Sequence, residues 1–279
     1  ARASLDYIKE KGKWVRKDEV FRRRGMVRSG LQWELPEVMA AKKRQQAADE
    51  AAKRWKKEIT RLTAIVTRGR GKTEQAWQSL AAIEDPLAAD GIAQQLLKSR
   101  GTQDQSRQLR MLWIDLLGKF RNGLSIKALV LAGIDEPDNV IREAALTKLQ
   151  EYGSGSAVAT YLPMLKSNDN AIVNRAARAL SWFPDPELAL TYTDALVTKH
   201  KHEILPGAGT QAGFADDGSG AFSTGGKKQV IVTTEKNPPV LGLLNLIEPD
   251  ANYGYDEVAW REHFASKLTA YEGDLRRDP

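Results

Sequence analysis

Apolar residues recur at helical spacing in short blocks along most of the chain. The blocks cover 77–83, 92–97, 109–117, 126–130, 141–149, 158–165 and 172–180. Pro and Gly separate them, at Pro86, Gly101, Gly123, Pro137, Gly153 and Pro186. Short paired helices at a period of about 31–34 residues are typical of an α-solenoid, in which each pair buries its apolar side only against its neighbours. The pattern therefore predicts a mainly α fold from residue 74 onwards.

Two blocks have nearly the same sequence, DNVIREAALTKL at 138–149 and DNAIVNRAARAL at 169–180. Each opens with Asp-Asn, contains an Arg and an Ala pair, and closes with Leu. We expect the Asp to cap the helix and the small Ala residues to let neighbouring helices approach closely. The residues concerned are Asp138, Asn139, Arg142, Ala144, Ala145 and Leu149, then Asp169, Asn170, Arg175, Ala176, Ala177 and Leu180.

The segments 138–149 and 169–180 resemble the second helix of a HEAT-type repeat. The resemblance extends over roughly residues 74–200. Gly254, Tyr255, Asp256 and Trp260 are similar to the closing segment of certain bacterial HEAT-repeat domain-containing proteins. The resemblance implies an α-solenoid scaffold that binds protein partners. Asp256 is expected to cap a final helix carrying Trp260, which would close the array.

The N-terminal part contains a smaller repeat, GKWVRKDEV at 12–20 and GLQWELPEV at 30–38. Short strands are predicted around Trp14 and Trp33, with a further strand over 26–28. Each repeat runs into a turn or a helix start, and Pro36 suits the first turn of a helix. We interpret residues 1–36 as a small basic Gly-x-Trp module in which Trp14 and Trp33 pack rather than stack on bases.

A long helix is predicted over 37–67, because Trp55, Ile59, Leu62 and Val66 recur on one face. The opposite face is basic and carries Lys42, Lys43, Arg44, Lys53, Arg54, Lys56 and Lys57. Two interpretations stay open, a solvated face of a connecting helix or a surface for an anionic partner. The candidate partner-binding residues are Lys42, Lys43, Arg44, Lys53, Arg54, Lys57, Trp14 and Trp33.

Gly71-Lys72-Thr73 ends like a phosphate-binding loop, but the position that requires Gly is Val66 and no buried strand precedes it. We interpret Gly69 and Gly71 as ending one helix and Thr73 as starting another. The predicted domains are therefore the module 1–36, a basic connecting helix and hinge over 37–73, and a repeat array over 74–279.

The helical period breaks at 203–235, where seven glycines precede the β-branched run QVIVTTE. We predict an inserted β-hairpin with strands near 221–224 and 229–234, or an irregular surface loop. His200 and His202 are interpreted as the solvated end of the preceding helix. Ligands two residues apart face opposite sides of a helix, whereas on a strand they could share a face; the solvated helix end is the interpretation adopted, and no metal site is predicted there.

Charge divides the chain unevenly. The net charge is +6, yet residues 1–73 hold 21 Lys and Arg against 9 Asp and Glu, and the remainder holds 21 against 27. A basic segment of this kind favours an anionic partner or an internal pairing. The alternative function is therefore nucleic-acid binding through the phosphate backbone.

Several classes of function are excluded or unsupported by composition. There are no cysteines, which excludes disulfides and thiolate chemistry. No apolar run approaches the roughly 18 residues of a membrane span. No nucleophile elbow or catalytic triad spacing is present, so we predict no enzyme activity and no cofactor. The start ARASLDY, without Met, favours a processed and exported bacterial protein, and the oligomeric state stays open.

Overall fold

The structure is a computed structural model that describes residues 6–69, 71–102, 105–204, 212–214, 220–222 and 229–269. The fold is mainly helical, as the sequence predicts, with a few small two-stranded sheets. Two compact units divide the chain, Ala1–Gln95 and Leu96–Pro279, called here the first and the second unit.

The first unit opens with two hairpin–helix modules. Strands β1 (Tyr7–Glu10) and β2 (Lys13–Arg16) pair antiparallel and lead directly into helix α1 (Lys17–Arg23). Strands β3 (Val27–Ser29) and β4 (Gln32–Glu34) pair in the same way and lead into helix α2 (Pro36–Arg68). The hairpin turns need a left-handed backbone, which Gly12 (φ +83°) and Gly30 (φ +61°) supply without strain. The predicted strands around both tryptophans are confirmed.

Helix α2 begins one residue earlier and ends one residue later than predicted. Pro36 occupies its first turn, and Gly69 ends it in the left-handed conformation (φ +63°), as the sequence indicates. Helix α3 (Thr73–Ala81) follows and begins at Thr73, as predicted, although Thr73 is not its N-cap. Lys72 is the capping residue without a side-chain bond, and the Thr73 hydroxyl is buried without a hydrogen-bond partner.

The second half of α2 packs within the first unit. It contacts α3 and a 3₁₀ turn at Pro86–Ala88, which leads into helix α4 (Ala89–Lys98). The Trp55 indole N–H donates to Asp85 Oδ2 at 2.6 Å. A Cβ at Gly91 would lie 2.9 Å from Ile59 Cδ1, so glycine permits this close helix crossing. These contacts fix residues 55–66 of α2.

The second unit consists of short helices that pack mainly on near neighbours in sequence. Capping is regular: Asn122, Asp138, Asp169 and Asp256 each accept a bond from the backbone N–H two or three residues on. The predicted helical blocks and the predicted Asp caps are confirmed. The helices are α5 (Arg107–Phe120), α6 (Gly123–Asp135), α7 (Asn139–Tyr152), α8 (Ser154–Tyr161), α9 (Asn170–Leu180), α10 (Ala189–Thr193), α11 (Pro238–Ile247) and α12 (Glu257–Thr269).

One sheet corrects the interpretation of the insertion. Strand β8 (Gln229–Lys236) forms as predicted, but its partner is β5 (Val197–Ile204), with Val197 opposite Lys236 and Ile204 opposite Gln229. The segment holding His200 and His202 is therefore a strand, and its interpretation as a helix end was wrong. Residues 221 and 222 belong instead to β7 (Gly220–Phe222), which pairs with β6 (Ala212–Phe214). The rest of the predicted insertion, at 205–211, 215–219 and 223–228, lies outside the described residues.

Candidate partner-binding surface

The first half of α2 contains no buried residue. None of its residues from Pro36 to Arg54 is buried, whereas Ile59, Leu62 and Thr63 in the second half are. The hairpin–helix modules before α2 also have little core, because Val20 is the one buried residue between Asp6 and Arg54. Most side chains of the 6–54 segment are therefore exposed, and the remainder, apart from Val20, are half-buried.

Most of the predicted basic residues of α2 form one stripe. At about 100° per residue, Lys42, Lys43, Lys53, Arg54, Lys56 and Lys57 fall within roughly 160° of the helix circumference. This stripe lies opposite the face through Ala48, Ala51 and Trp55 that continues into the buried residues. The predicted segregation of apolar and basic faces therefore holds for these six residues.

Arg44 lies outside this stripe. By the same helical geometry it is about 80° beyond Arg54, on the side that continues the Trp55 face. Its Nε donates to the Ala40 carbonyl at 3.4 Å, which holds the side chain along the helix. Arg44 and the stripe would thus meet a partner from different directions.

The charges of the stripe are mostly unpaired. Lys42 forms an ion pair with Glu34 of β4, while Lys43, Lys53, Arg54 and Lys57 form none within the described part of the chain. Further along α2, the hydrogen bond from Arg61 lowers the pKa of Glu58 below its ordinary value. Glu58 is therefore already neutralised by Arg61 and leaves the positive charge of the stripe intact.

The two tryptophans have different environments. Trp33 is half-buried and its ring centroid lies 5.7 Å from that of Phe21 on α1, in a tilted contact. Trp14 occupies the corresponding strand of the first hairpin but is 43% exposed. The packing role predicted for both is therefore observed for Trp33, while Trp14 presents an aromatic face to solvent.

A second charged cluster, which the sequence did not indicate, surrounds the loop between α6 and α7. Glu136 pairs with Arg110 of α5, and both side chains are almost fully buried, at 1% and 5% exposure. Around the same loop, Arg100 lies 3.1 Å from Asp135, Arg175 lies 3.8 Å from Asp135, and Arg107 lies 2.7 Å from Asp138. The hydrogen bond from Arg107 lowers the pKa of Asp138, and the backbone N–H of Val140 adds to this. The cluster cross-links α5, α7 and α9 and has a structural role.

The second unit contains cavities large enough to hold a small molecule. One of about 610 Å³ is lined by polar residues including Asn168, Asp194, Lys199 and Asp256, and another of about 400 Å³ lies beside Arg142 and Arg178. Within the described ranges, no group of three or more His, Asp or Glu residues is arranged to hold a metal ion. The described helices also include none with the length and apolarity of a membrane span.

The predicted site residues are therefore brought together in part. The lysines and arginines of α2 share a helix with each other, and Lys42 reaches the hairpin that carries Trp33, while Trp14 belongs to the neighbouring hairpin. Comparison of the chain with protein-family models, with curated proteins and with solved structures finds no match.

Proposed function

We propose that this protein is a non-enzymatic helical-repeat scaffold that binds a protein partner through its basic 6–54 segment. The observation that carries the proposal is the burial pattern of this segment. Forty-nine consecutive residues contain one buried side chain, Val20, while they carry fourteen Lys and Arg against eight Asp and Glu.

A segment with so little core gains little stability from its own folding. Small domains bury only a modest fraction of their surface, and natural ones compensate with disulfides, metals or association. Cysteine is absent, so disulfides do not contribute. Association with a partner is another of these routes, and it would cover the exposed apolar residues Trp14, Val27, Leu31, Leu35 and Val38.

The electrostatics select the partner's chemistry. Several cations of the α2 stripe have no counter-charge among the described residues, and they are exposed, so each pairing with a partner would contribute little alone. Together they steer association and disfavour basic partners. The partner that fits is a protein surface with acidic residues around an apolar patch.

The second unit fits the scaffold part of the proposal. Its helices α5 to α9 contact mainly near neighbours along the chain, and the HEAT-like segments 138–149 and 169–180 each begin at an Asp cap. Nearest-neighbour packing of short helices supports an α-solenoid of HEAT-like pairs. We assign this array the role of a rigid support.

Charge reversal on the full chain tests the proposal. Lys43→Glu, Lys53→Glu and Lys57→Glu together should abolish capture of a protein partner from nuclease-treated native lysate, with the partner identified by mass spectrometry. The matched control reverses three exposed lysines of the second unit, Lys119, Lys127 and Lys166, and should capture normally. Equal capture by wild type and both variants would contradict the proposal.

Nucleic-acid binding is the second candidate, favoured by the length of the stripe. Lys42 to Lys57 spans about 22 Å along the helix axis, which matches roughly six successive phosphates of one strand. This function predicts that the affinity for a duplex or single-stranded oligonucleotide falls steeply with salt. In fluorescence anisotropy, the charge reversals at Lys43, Lys53 and Lys57 should reduce the slope of the logarithm of the association constant against the logarithm of the salt concentration. Absent or salt-independent binding would reject it.

A further inference from the structure

Two cavities of the second unit meet at Trp182, which lines both. The first, of about 400 Å³, lies between the end of α6, α7 and α9, and the second, of about 640 Å³, lies between α8 and the segment after α9. Glu143 and Leu146 line the first and Gln150 the second, and this spacing places all three on one face of α7. Gln150 Nε2 also donates to the Trp182 carbonyl at 2.6 Å. The two cavities therefore form one groove, called here the α7 groove.

The first cavity has two arginines whose charge is not neutralised. Arg142 of α7 is half-buried, and its guanidinium donates to the Glu136 carbonyl at 2.8 Å and to the side-chain oxygen of Asn139. Both acceptors are neutral, so these bonds hold the guanidinium in place and leave its charge intact. Arg178 of α9 is exposed, and its guanidinium forms no ion pair or hydrogen bond within the described part of the chain. Both arginines line the same cavity.

The carboxylates of the first cavity do not cancel this charge. Asp135 and Glu136 already form ion pairs with other arginines. Glu143 is exposed and has no counter-ion among the described residues. One negative charge thus stands against the two positive charges of Arg142 and Arg178. The cavity therefore attracts an anion, while Glu143 opposes a second negative charge on that anion.

The second cavity is mainly apolar. Val158 and Leu162 of α8 line one side of it, and Phe183 and Leu188 line the other. Asp185 is the one charged residue in its lining, and the Asp185 side chain accepts the backbone N–H of the residue two positions on, at 2.9 Å. An apolar chain that enters this cavity is removed from water, which favours binding in proportion to the area covered.

We propose that the α7 groove binds an apolar monocarboxylate, with its carboxylate between Arg142 and Arg178 and its alkyl or aryl chain beyond Trp182 in the second cavity. Arginine suits this head group, because its planar fork of N–H donors matches a carboxylate. A phosphate monoester fits less well, since most of its second charge is present at neutral pH and Glu143 would repel it. The groove shares no residue with the 6–54 segment, so the proposal goes beyond the partner binding proposed above.

Isothermal titration calorimetry of the full chain with butanoate, hexanoate and octanoate tests the proposal. All three should bind at a single site, and the affinity should rise about tenfold for each pair of added methylenes, as burial of an apolar chain requires. Octanamide has the same chain without the charge and should bind about tenfold more weakly than octanoate, because its hydrogen bonds with the arginines are not charge-assisted on both sides. Octyl phosphate should bind no more tightly than octanoate.

Two variants separate the head of the ligand from its tail. Arg178→Gln should weaken all three carboxylates about tenfold and keep the dependence on chain length. Val158→Ser should leave butanoate unchanged and reduce the gain from hexanoate to octanoate. Arg178 is exposed and unpaired and Val158 is half-buried, so circular dichroism should show the wild-type fold for both. Lys127→Gln, a change at an exposed lysine of α6 outside both cavities, is the matched control and should bind like wild type.

The absence of saturable octanoate binding up to about 10 mM would overturn the proposal. So would equal affinities for octanoate and octanamide, or an Arg178→Gln chain that binds octanoate like wild type. Tighter binding of octyl phosphate than of octanoate would overturn the assignment to a carboxylate. The charge reversals at Lys43, Lys53 and Lys57 should leave the octanoate affinity unchanged, which separates a failure of this site from a failure of the proposed partner binding.

Discussion

Removing one member of the buried Arg110–Glu136 pair should strongly destabilise the second unit. Arg110 Nη1 donates to Glu136 Oε1 at 2.9 Å, a second guanidinium bond reaches Oε2, and Arg110 Nε donates to Ser99 Oγ at 3.2 Å. Glu136 Oε1 also accepts the backbone N–H of Asp138 at 3.2 Å. With side-chain exposures of 5% and 1%, each charge depends on the other for solvation.

The expected magnitude follows from desolvation. A single truncation, Arg110→Met or Glu136→Met, leaves one charge buried without its counter-ion, which costs about 3–5 kcal/mol. Replacing both residues by Met removes both desolvation penalties, so the double variant should be more stable than either single variant. The resulting coupling energy should be about 3 kcal/mol, far above that of independent sites.

Urea unfolding followed by far-ultraviolet circular dichroism measures the free energy of unfolding of the wild type, the two single variants and the double variant. The matched control is Arg261→Met, which breaks an exposed pair with Asp194 (2.5 Å) and should cost no more than about 1 kcal/mol. The inference of a desolvated pair is wrong if Arg110→Met lowers the free energy of unfolding no more than this control does. It is also wrong if the effects of the two Met substitutions on that free energy are additive.

Two further outcomes follow from local geometry. Gly133→Ala places a methyl group 2.6 Å from the Tyr161 hydroxyl and should cost about 1–3 kcal/mol by urea unfolding, and Tyr161→Phe in that background should restore part of the loss. The hydrogen bond from Arg107 holds the pKa of Asp138 below its ordinary 3.8. The ionised Asp138 side chain therefore stabilises the folded state fully above pH 3.8, and this stabilisation is lost as the pH falls through the pKa of the folded protein. Asp138→Asn keeps the helix cap and should therefore flatten the fall in the urea midpoint between pH 5 and pH 2; an unchanged slope would contradict the assignment.

Local sequence signals predicted the elements that depend on local physics. The bounds of α2 follow from Pro36 at its start and Gly69 at its end, and the caps of α7 and α9 follow from Asp138 and Asp169. Each of these residues acts on backbone within a few positions of itself. Composition and spacing are sufficient for such features.

Features that depend on distant partners could not be predicted. Strand β5 forms because β8 pairs with it, and the nearest paired residues, Ile204 and Gln229, are 25 positions apart. The Arg110–Glu136 pair joins residues 26 positions apart. Trp14 and Trp33 stand in similar motifs, yet only the second has Phe21 beside it. Burial is a property of the neighbour in space, which a local pattern does not contain.

The exposed half of α2 raises the question of what holds it helical without a core. Residues 36–54 include six alanines, and Lys, Arg, Gln and Glu make up much of the remainder. These are strong helix formers. The costly step is nucleation, and the packed second half, with Ile59 and Leu62 buried, supplies a nucleus from which the helix extends one residue at a time. The basic stripe is therefore ordered before any partner arrives, and binding to it avoids the entropy cost of folding a flexible segment. For the partner binding proposed above, this pre-ordered helix would present its cations on a fixed surface, so that less conformational entropy would be lost on association.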